Sequence, residues 1–273
     1  MKTIVLVSMS GGKDSTASYI EAKARYGSRY KIIPYFCDTG WEHELTYEYI
    51  NYLESKIGCI VRLKSDKYDG FEDMCIKKKM IPNRLKRFCT EELKVFPSIK
   101  FISQWKAKGY RVINVVGVRK DESKKREPEN MWKTTFLGKL PSNKSSKKAK
   151  SKFFNRDNTV TTFQPVVYWN ALDVFTAIQK AGFKNNPLYS MGFSRVGCFP
   201  CIQANTNEIG MLDQKTVDRV TELEKTVSAK SGRYTVFLHK GGKLVSLGNK
   251  HRSNKYNGLG LELGCINQFG ICE

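Results

Sequence analysis

Two groups of residues in this chain are spaced for chemistry. The first is Ser10-Gly-Gly-Lys-Asp-Ser15, a glycine pair and a lysine flanked by hydroxyls. Gly11 and Gly12 let the backbone turn tightly and bring its N–H groups close to a ligand. A helix starting there adds unpaired donors and a partial positive charge. Lys13 supplies a full charge, and Ser10 and Ser15 supply hydroxyls. The string therefore suits an anion of pyrophosphate or sulfate size. Its spacing is not the G-x-x-x-x-G-K-S/T of the Walker loop, and a plain serine-capped glycine turn would use the same residues. The second group is Cys198-Phe-Pro-Cys201, two thiols within reach of one centre. That spacing alone fits zinc, an iron–sulfur cluster or a redox dithiol.

Alternating elements are expected to carry these groups. Thr3–Val7 is a short apolar, β-branched run that suits a buried parallel strand, and a helix with Ala17, Tyr19, Ile20 and Ala24 follows the glycine pair. Further strands are predicted at Lys31–Cys37, Cys59–Leu63 and Val112–Val118. Helices are predicted at Leu45–Lys56, Glu92–Lys108, Asn170–Ala181 and Asp213–Lys230. Strands alternating with helices imply an α/β fold, an open and mostly parallel sheet with helices on both faces. Asp38 then lies at the carboxyl end of the second strand, beside the first, where such sheets bind ligands. It could accept hydrogen bonds from a ribose or adenine, or cap a helix. Arg119, Glu122, Ser123 and Arg126 follow the Val112–Val118 strand. The two arginines could neutralise phosphate or sulfate, Arg119 foremost, or the group could be a surface salt-bridge cluster.

Composition narrows the class. The chain has 273 residues and a formal net charge of +21, an excess that favours polyanionic partners. Lys139, Lys144, Lys147, Lys148, Lys150 and Lys152 sit among serines in a stretch, 138–158, that reads either as a solvated loop or as an arm for DNA or RNA. No apolar run is long enough to span a bilayer and the N-terminus reads directly into a strand, so no membrane partner and a cytoplasmic location are expected. Eight cysteines, with one C-x-x-C pair, then read as packing, metal or catalytic thiols rather than a disulfide framework. Cys37 and Cys59 suit strand packing. His43, His239 and His251 are isolated and receive no catalytic role.

The motifs together resemble one family. Ser10–Ser15 resembles the PP-loop of the ATP pyrophosphatase superfamily, a Rossmann-like fold. Asp38-Thr-Gly-Trp41, Arg87-Phe-Cys-Thr-Glu-Glu-Leu-Lys94 and Gly117-Val-Arg-Lys-Asp-Glu-Ser123 with Arg126 resemble segments of the phosphoadenosine phosphosulfate (PAPS) reductase family. So does the run from Pro165–Trp169 through Asn186-Pro-Leu-Tyr189 to Cys198 and Cys201. The resemblance covers residues 3–201. It divides the chain into a nucleotide-binding domain, 1–201, and a C-terminal extension, 202–273.

What the resemblance implies is specific. Ser8, Ser10, Gly11, Gly12, Lys13, Asp14, Ser15, Asp38, Thr39, Gly40, Gly117, Arg119, Glu122, Ser123 and Arg126 would bind an adenine nucleotide, ATP or PAPS, with Mg2+. Cys89, Cys198 and Cys201 would hold a 4Fe–4S cluster, with zinc as the alternative. Phe88 stands where cluster-bearing relatives have a further cysteine, so Cys75, Cys265 or Cys272 would have to replace it. The family's reductases use a nucleophilic cysteine in a tail segment that this sequence does not reproduce. Cys265 and Cys272 are the tail thiols available, and Lys13 and Arg119 are the charges that would act in catalysis. Three functions follow. The first is adenylation-dependent sulfur transfer, on nucleic acid and with a sulfur-donor protein, as in the DNA phosphorothioation branch. The second is a PAPS or adenylyl-sulfate reductase. The third is a non-catalytic nucleotide- or nucleic-acid-binding module.

Overall fold

The computed structural model describes residues 1–83, 85–122, 126, 128–137, 158–240 and 243–245. Ser123, the lysines between 139 and 152, His251, Cys265 and Cys272 lie outside the described residues, as does the side chain of His239. The chain forms two compact units built from alternating segments. Unit 1 comprises Met1–Cys37, Leu53–Leu63 and Ser98–Asn185, and unit 2 comprises Asp38–Tyr52, Lys64–Pro97 and Asn186–Glu273.

Unit 1 is a six-stranded sheet. Its strands are β1 (Thr3–Met9), β2 (Lys31–Cys37), β3 (Val61–Leu63), β4 (Arg111–Val115), β5 (Trp132–Phe136) and β6 (Thr159–Phe163), in the order β3-β2-β1-β4-β6-β5. All neighbours are parallel except β5, which runs antiparallel to β6 at the edge. The expected mostly parallel α/β sheet is the observed one. Ile4, Val5, Leu6 and Val7 are all fully buried, as a central strand covered on both faces requires.

Helices lie on opposite faces. Ile4, Leu6, Tyr35 and Val160 pack with Ile102, Phe101 and Trp105 of α4 (Phe96–Ala107). Phe163 has the opposite strand parity to Val160, and its ring meets Tyr26 of α1 (Lys13–Tyr26) at 5.8 Å. Ala17 of α1 packs with Val174 and Ile178 of α5 (Ala171–Lys180). Asn170 and Asp173 form a reciprocal capping box at the start of α5, so the predicted bounds Asn170–Ala181 are its caps.

Unit 2 is mainly helical. The N-terminal part of α2 (Glu44–Ile57), then α3 (Phe71–Lys78), α6 (Thr206–Gly210) and α7 (Gln214–Ser231) belong to it, with a hairpin of β7 (Leu238–Lys240) and β8 (Lys243–Val245). Its core gathers Trp41, Phe71, Met74, Leu93, Val220 and Phe237. Trp41 is stacked on Phe71 at 4.7 Å and covered by the Arg219 guanidinium at 4.3 Å. Trp41→Ala should therefore destabilise this unit by about 3–5 kcal/mol, read as a lowered denaturant midpoint.

Two predicted elements differ in ways that matter for function. The strand expected over Val112–Val118 ends at Val115, because the chain must turn away for Gly117 to approach the start of α1. The helix expected from Glu92 begins earlier and irregularly, as a turn at Phe88–Thr90 and a π-helical turn at Glu91–Val95 before α4. Cys59 is exposed and precedes β3, so it does not pack in a strand, whereas Cys37 is buried as expected.

Candidate functional site

In unit 1 the site is built around the β1–α1 turn. Gly11 adopts a φ of 73°, which glycine reaches without strain. Gly12 is the N-cap of α1, so no side chain closes the start of this helix. The turn is held from within by Ser15. Its Oγ accepts from the Ser10 N–H at 3.1 Å and donates to the Gly12 carbonyl at 2.9 Å. Thr16 Oγ1 donates to the same carbonyl at 3.1 Å. Ser15 is thus a brace of the loop, a role its position in the string did not distinguish from ligand binding. Ser8 lies within β1. Lys13 is only 6% exposed, with its ammonium 3.8 Å from Asp14 and 5.9 Å above the Phe175 ring.

The segment after β4 closes against this turn. A Cβ on Gly117 would stand 2.6 Å from the Asp14 carbonyl carbon and 2.7 Å from the Ser15 nitrogen, so only glycine fits. Two residues on, Arg119 is buried. Its Nε donates to Asp14 Oδ1 at 2.6 Å, and its Nη1 donates to Asp121 Oδ2 at 3.1 Å. The structure therefore brings Lys13, Asp14, Gly117 and Arg119 together at the start of α1. Glu122 and Arg126 form an ion pair with each other, the salt-bridge arrangement that was the alternative for this group.

In unit 2, Asp38-Thr-Gly-Trp41 is tied to its own neighbours. Asp38 accepts from the Gly40 N–H at 3.0 Å and the Tyr47 hydroxyl at 2.8 Å, with Lys64 at 3.4 Å. Thr39 and Trp41 wrap a residue that sequence reasoning missed, Glu42. This buried carboxylate accepts from the Thr39 N–H and hydroxyl, the Trp41 N–H and the Tyr47 hydroxyl. Burial beside Glu42 and Asp38 holds the Tyr47 phenol far above its usual range. The signal in the sequence was an acid directly after the motif.

Trp41 fastens the cysteine loop to this segment. Its carbonyl accepts from the Phe199 N–H at 2.6 Å, and its indole N–H donates to the Pro200 carbonyl at 3.0 Å. His43 supports the same loop, its ring edge-on to Phe199 at 4.6 Å, and its Nδ1 accepts from the Leu45 N–H. Cys198, Cys201 and Cys89 all line one cavity of about 220 Å³, together with Arg87, Lys94 and Arg195. A π turn, Glu91–Val95, directly follows the Phe88–Thr90 turn that holds Cys89, and contains Lys94. Cys89 and Lys94 both line the cavity.

The thiols differ sharply. Cys201 is exposed. Cys198 is only half-buried as a residue, yet its sulfur is enclosed. That enclosure pushes the thiol up to about 11, with Lys94 opposing and Glu42 and Cys201 adding to the rise. At pH 8 about one Cys198 in a thousand would then be thiolate. Iodoacetamide at that pH should label Cys201 well before Cys198, and mass spectrometry of the digested protein would show the order. Cys75 is fully buried in the core and its thiol is pushed far up by burial, which leaves it no opening to the cavity lining. A cluster or zinc ion would need its donors converged. Among the described residues no group of three or more His, Cys, Asp or Glu side chains could hold a metal ion, so the three thiols share a cavity without forming such a set.

A glycine-built anion turn at the first strand of an open parallel sheet defines a nucleotide-binding α/β protein. The family comparison agrees. The phosphoadenosine phosphosulfate reductase domain model matches residues 4–204, and the chain belongs to that family. An uncharacterised 37.8 kDa protein of Escherichia phage 186 is 32% identical over 85% of this chain and 77% of its own length. An uncharacterised protein of Methanocaldococcus jannaschii is 29% identical over 79% of this chain, which spans only 39% of that longer protein. Among solved structures, the phosphate complex of PAPS reductase from Candida auris aligns with a TM-score of 0.48 and 13% identity, covering 72% of this chain and 82% of that one. No described helix is long and apolar enough to cross a membrane.

Proposed function

We propose that this protein is an enzyme that activates an acceptor with ATP and then transfers sulfur to it, a nucleic acid being the acceptor class. The observation that carries the reading is the turn at the start of α1, where buried Lys13 meets an N-terminus with no capping side chain. That arrangement suits the β,γ-pyrophosphate of ATP, brought in as its Mg2+ complex. An acceptor oxygen would attack the α-phosphorus, forming an adenylated acceptor and releasing pyrophosphate. Lys13 would stabilise the charge that grows on this leaving group. Arg119 would act from its buried pair with Asp14. Asp121 is 61% exposed and is the partner that a phosphate could displace. A sulfide-level sulfur nucleophile would then attack the activated centre and form the acceptor–sulfur bond, while the acceptor–oxygen bond breaks and AMP leaves with that oxygen and its electron pair. The net charge of +21 supports a polyanionic acceptor.

The cysteine cavity supports a sulfur-handling role. Bound there, a cluster would supply redox or sulfur-binding chemistry, but the described donors do not converge on a metal position. The steps above therefore route nothing through a metal. The family match to a PAPS reductase domain favours a second reading, in which the same turn binds a sulfonucleotide and a thiol releases sulfite. Chromatography of the nucleotides after anaerobic protein meets ATP or PAPS, with and without DNA, separates the two. AMP from ATP is expected. Sulfite and phosphoadenosine phosphate from PAPS, with ATP untouched, would replace this reading with the reductase. No turnover of either would leave a binding module.

A further inference from the structure

We propose that the unit 2 cavity is a sulfur-loading site, which takes up a small anion carrying a sulfane sulfur and passes that sulfur to Cys201 as a persulfide. The proposal rests on the sulfur-transfer reading and names its donor class, of which thiosulfate is the simplest member. Three features of the cavity carry it.

The first is charge. Arg87, Lys94 and Arg195 contribute to the lining, and the one acid among the described lining residues is Glu208. That carboxylate is already engaged, accepting from Ser194 Oγ at 2.7 Å and from the Asn205 N–H at 3.0 Å. The cavity is therefore an anion site by composition. The second is size. Its volume of about 220 Å³ falls below the roughly 300–1,000 Å³ typical of sites for drug-sized ligands. A compact oxyanion suits it better than a whole nucleotide does.

The third is the asymmetry of the thiols. Cys201 is exposed, and its Sγ accepts from the Gln203 N–H at 3.4 Å. Cys198 is half-buried, with its sulfur set against Thr39 Oγ1 at 3.8 Å and the Glu42 carboxylate at 3.9 Å, so an incoming anion reaches it less openly than it reaches Cys201. The nucleophile is accordingly Cys201. The two bonds from Trp41 to Phe199 and Pro200 hold the loop between the cysteines, so the thiol is presented on a fixed frame.

The step balances without any oxidant or reductant. The Cys201 thiolate attacks the terminal sulfur of thiosulfate. The sulfur–sulfur bond of thiosulfate breaks, its electron pair leaves on sulfite, and a Cys201–sulfur bond forms. One thiolate and one thiosulfate give one persulfide and one sulfite, with total charge unchanged. Arg195, Lys94 and Arg87 offset the charge on the departing sulfite.

The test uses the full chain, purified without oxygen and mixed with thiosulfate in the absence of nucleotide. The expected result is one equivalent of sulfite and a mass gain of one sulfur atom on the peptide holding Cys201. Both should vanish in Cys201→Ser and persist in Cys59→Ser, an exposed thiol of unit 1. Arg195→Gln should raise the half-saturating thiosulfate concentration about tenfold. Circular dichroism checks that the variants fold. Absence of sulfite, sulfur on another cysteine, undiminished loading in Cys201→Ser, or iron held by Cys201 that blocks the reaction would each overturn the proposal. AMP formation from ATP is scored separately. AMP without loading would sink only the loading site, and loading without AMP would sink only the adenylation reading.

Discussion

Lys13→Ala should lower AMP release from ATP by about 100- to 1,000-fold, the range found when one preorganised charge-stabilising donor is removed. The effect is expected to be large because Lys13 is 6% exposed. An ammonium shielded from water acts on a phosphate more strongly than one on the surface. The fold should survive, since the Ser10–Ser15 turn is braced by Ser15 and Thr16. Quantifying AMP by chromatography, beside a thermal melt, checks both halves. Full activity in a folded variant would remove Lys13 from the chemistry.

Gly117→Ala should damage the fold as well as the site, because it acts on backbone. The added methyl would stand 2.6 Å from both the carbonyl carbon and oxygen of Asp14, a contact that must move main chain and not a flexible side-chain tip. Overpacking of this kind costs about 1–3 kcal/mol. Here the strain falls on the first turn of α1, whose N–H groups are proposed to face the phosphates. A lowered denaturant midpoint and at least a tenfold loss of ATP affinity are expected, read by urea titration and by calorimetry. An alanine accommodated without either change would mean that the approach of this segment to α1 does not shape the site.

These two residues show what the sequence made legible. Ser10–Ser15 stood out because strand, glycine pair and helix are neighbours in the chain, so local rules suffice. Gly117 stood out only through its motif. Its reason, a backbone contact with Asp14 about a hundred positions earlier, is tertiary. The same limit hid Glu42, whose ligands Thr39, Trp41 and Tyr47 converge only once the turn and α2 are in place. Arg119 was expected to meet phosphate, but its nearest partners are the carboxylates of Asp14 and Asp121, which no spacing rule pairs with it in advance.

Irregular geometry was the other barrier. A helical period over Glu92–Lys108 is visible, but the π turn at Glu91–Val95 is not. That turn carries Lys94, which lines the cavity with Cys89. The edge strand β5 escaped notice because Trp132-Lys-Thr-Thr-Phe136 lacks clean alternation, and its first three residues are exposed. The two units are interleaved along the chain, so neither has a boundary that composition could mark.

The turn at the start of α1 is proposed to grip a pyrophosphate group. Calorimetric titration of inorganic pyrophosphate into the wild-type chain and into Lys13→Ala tests it without any assumption about acceptor or sulfur donor. Saturable binding that ATP competes away, and that weakens about tenfold or more in the variant, is expected. Equal binding by both proteins, or pyrophosphate binding that ATP does not displace, would contradict it.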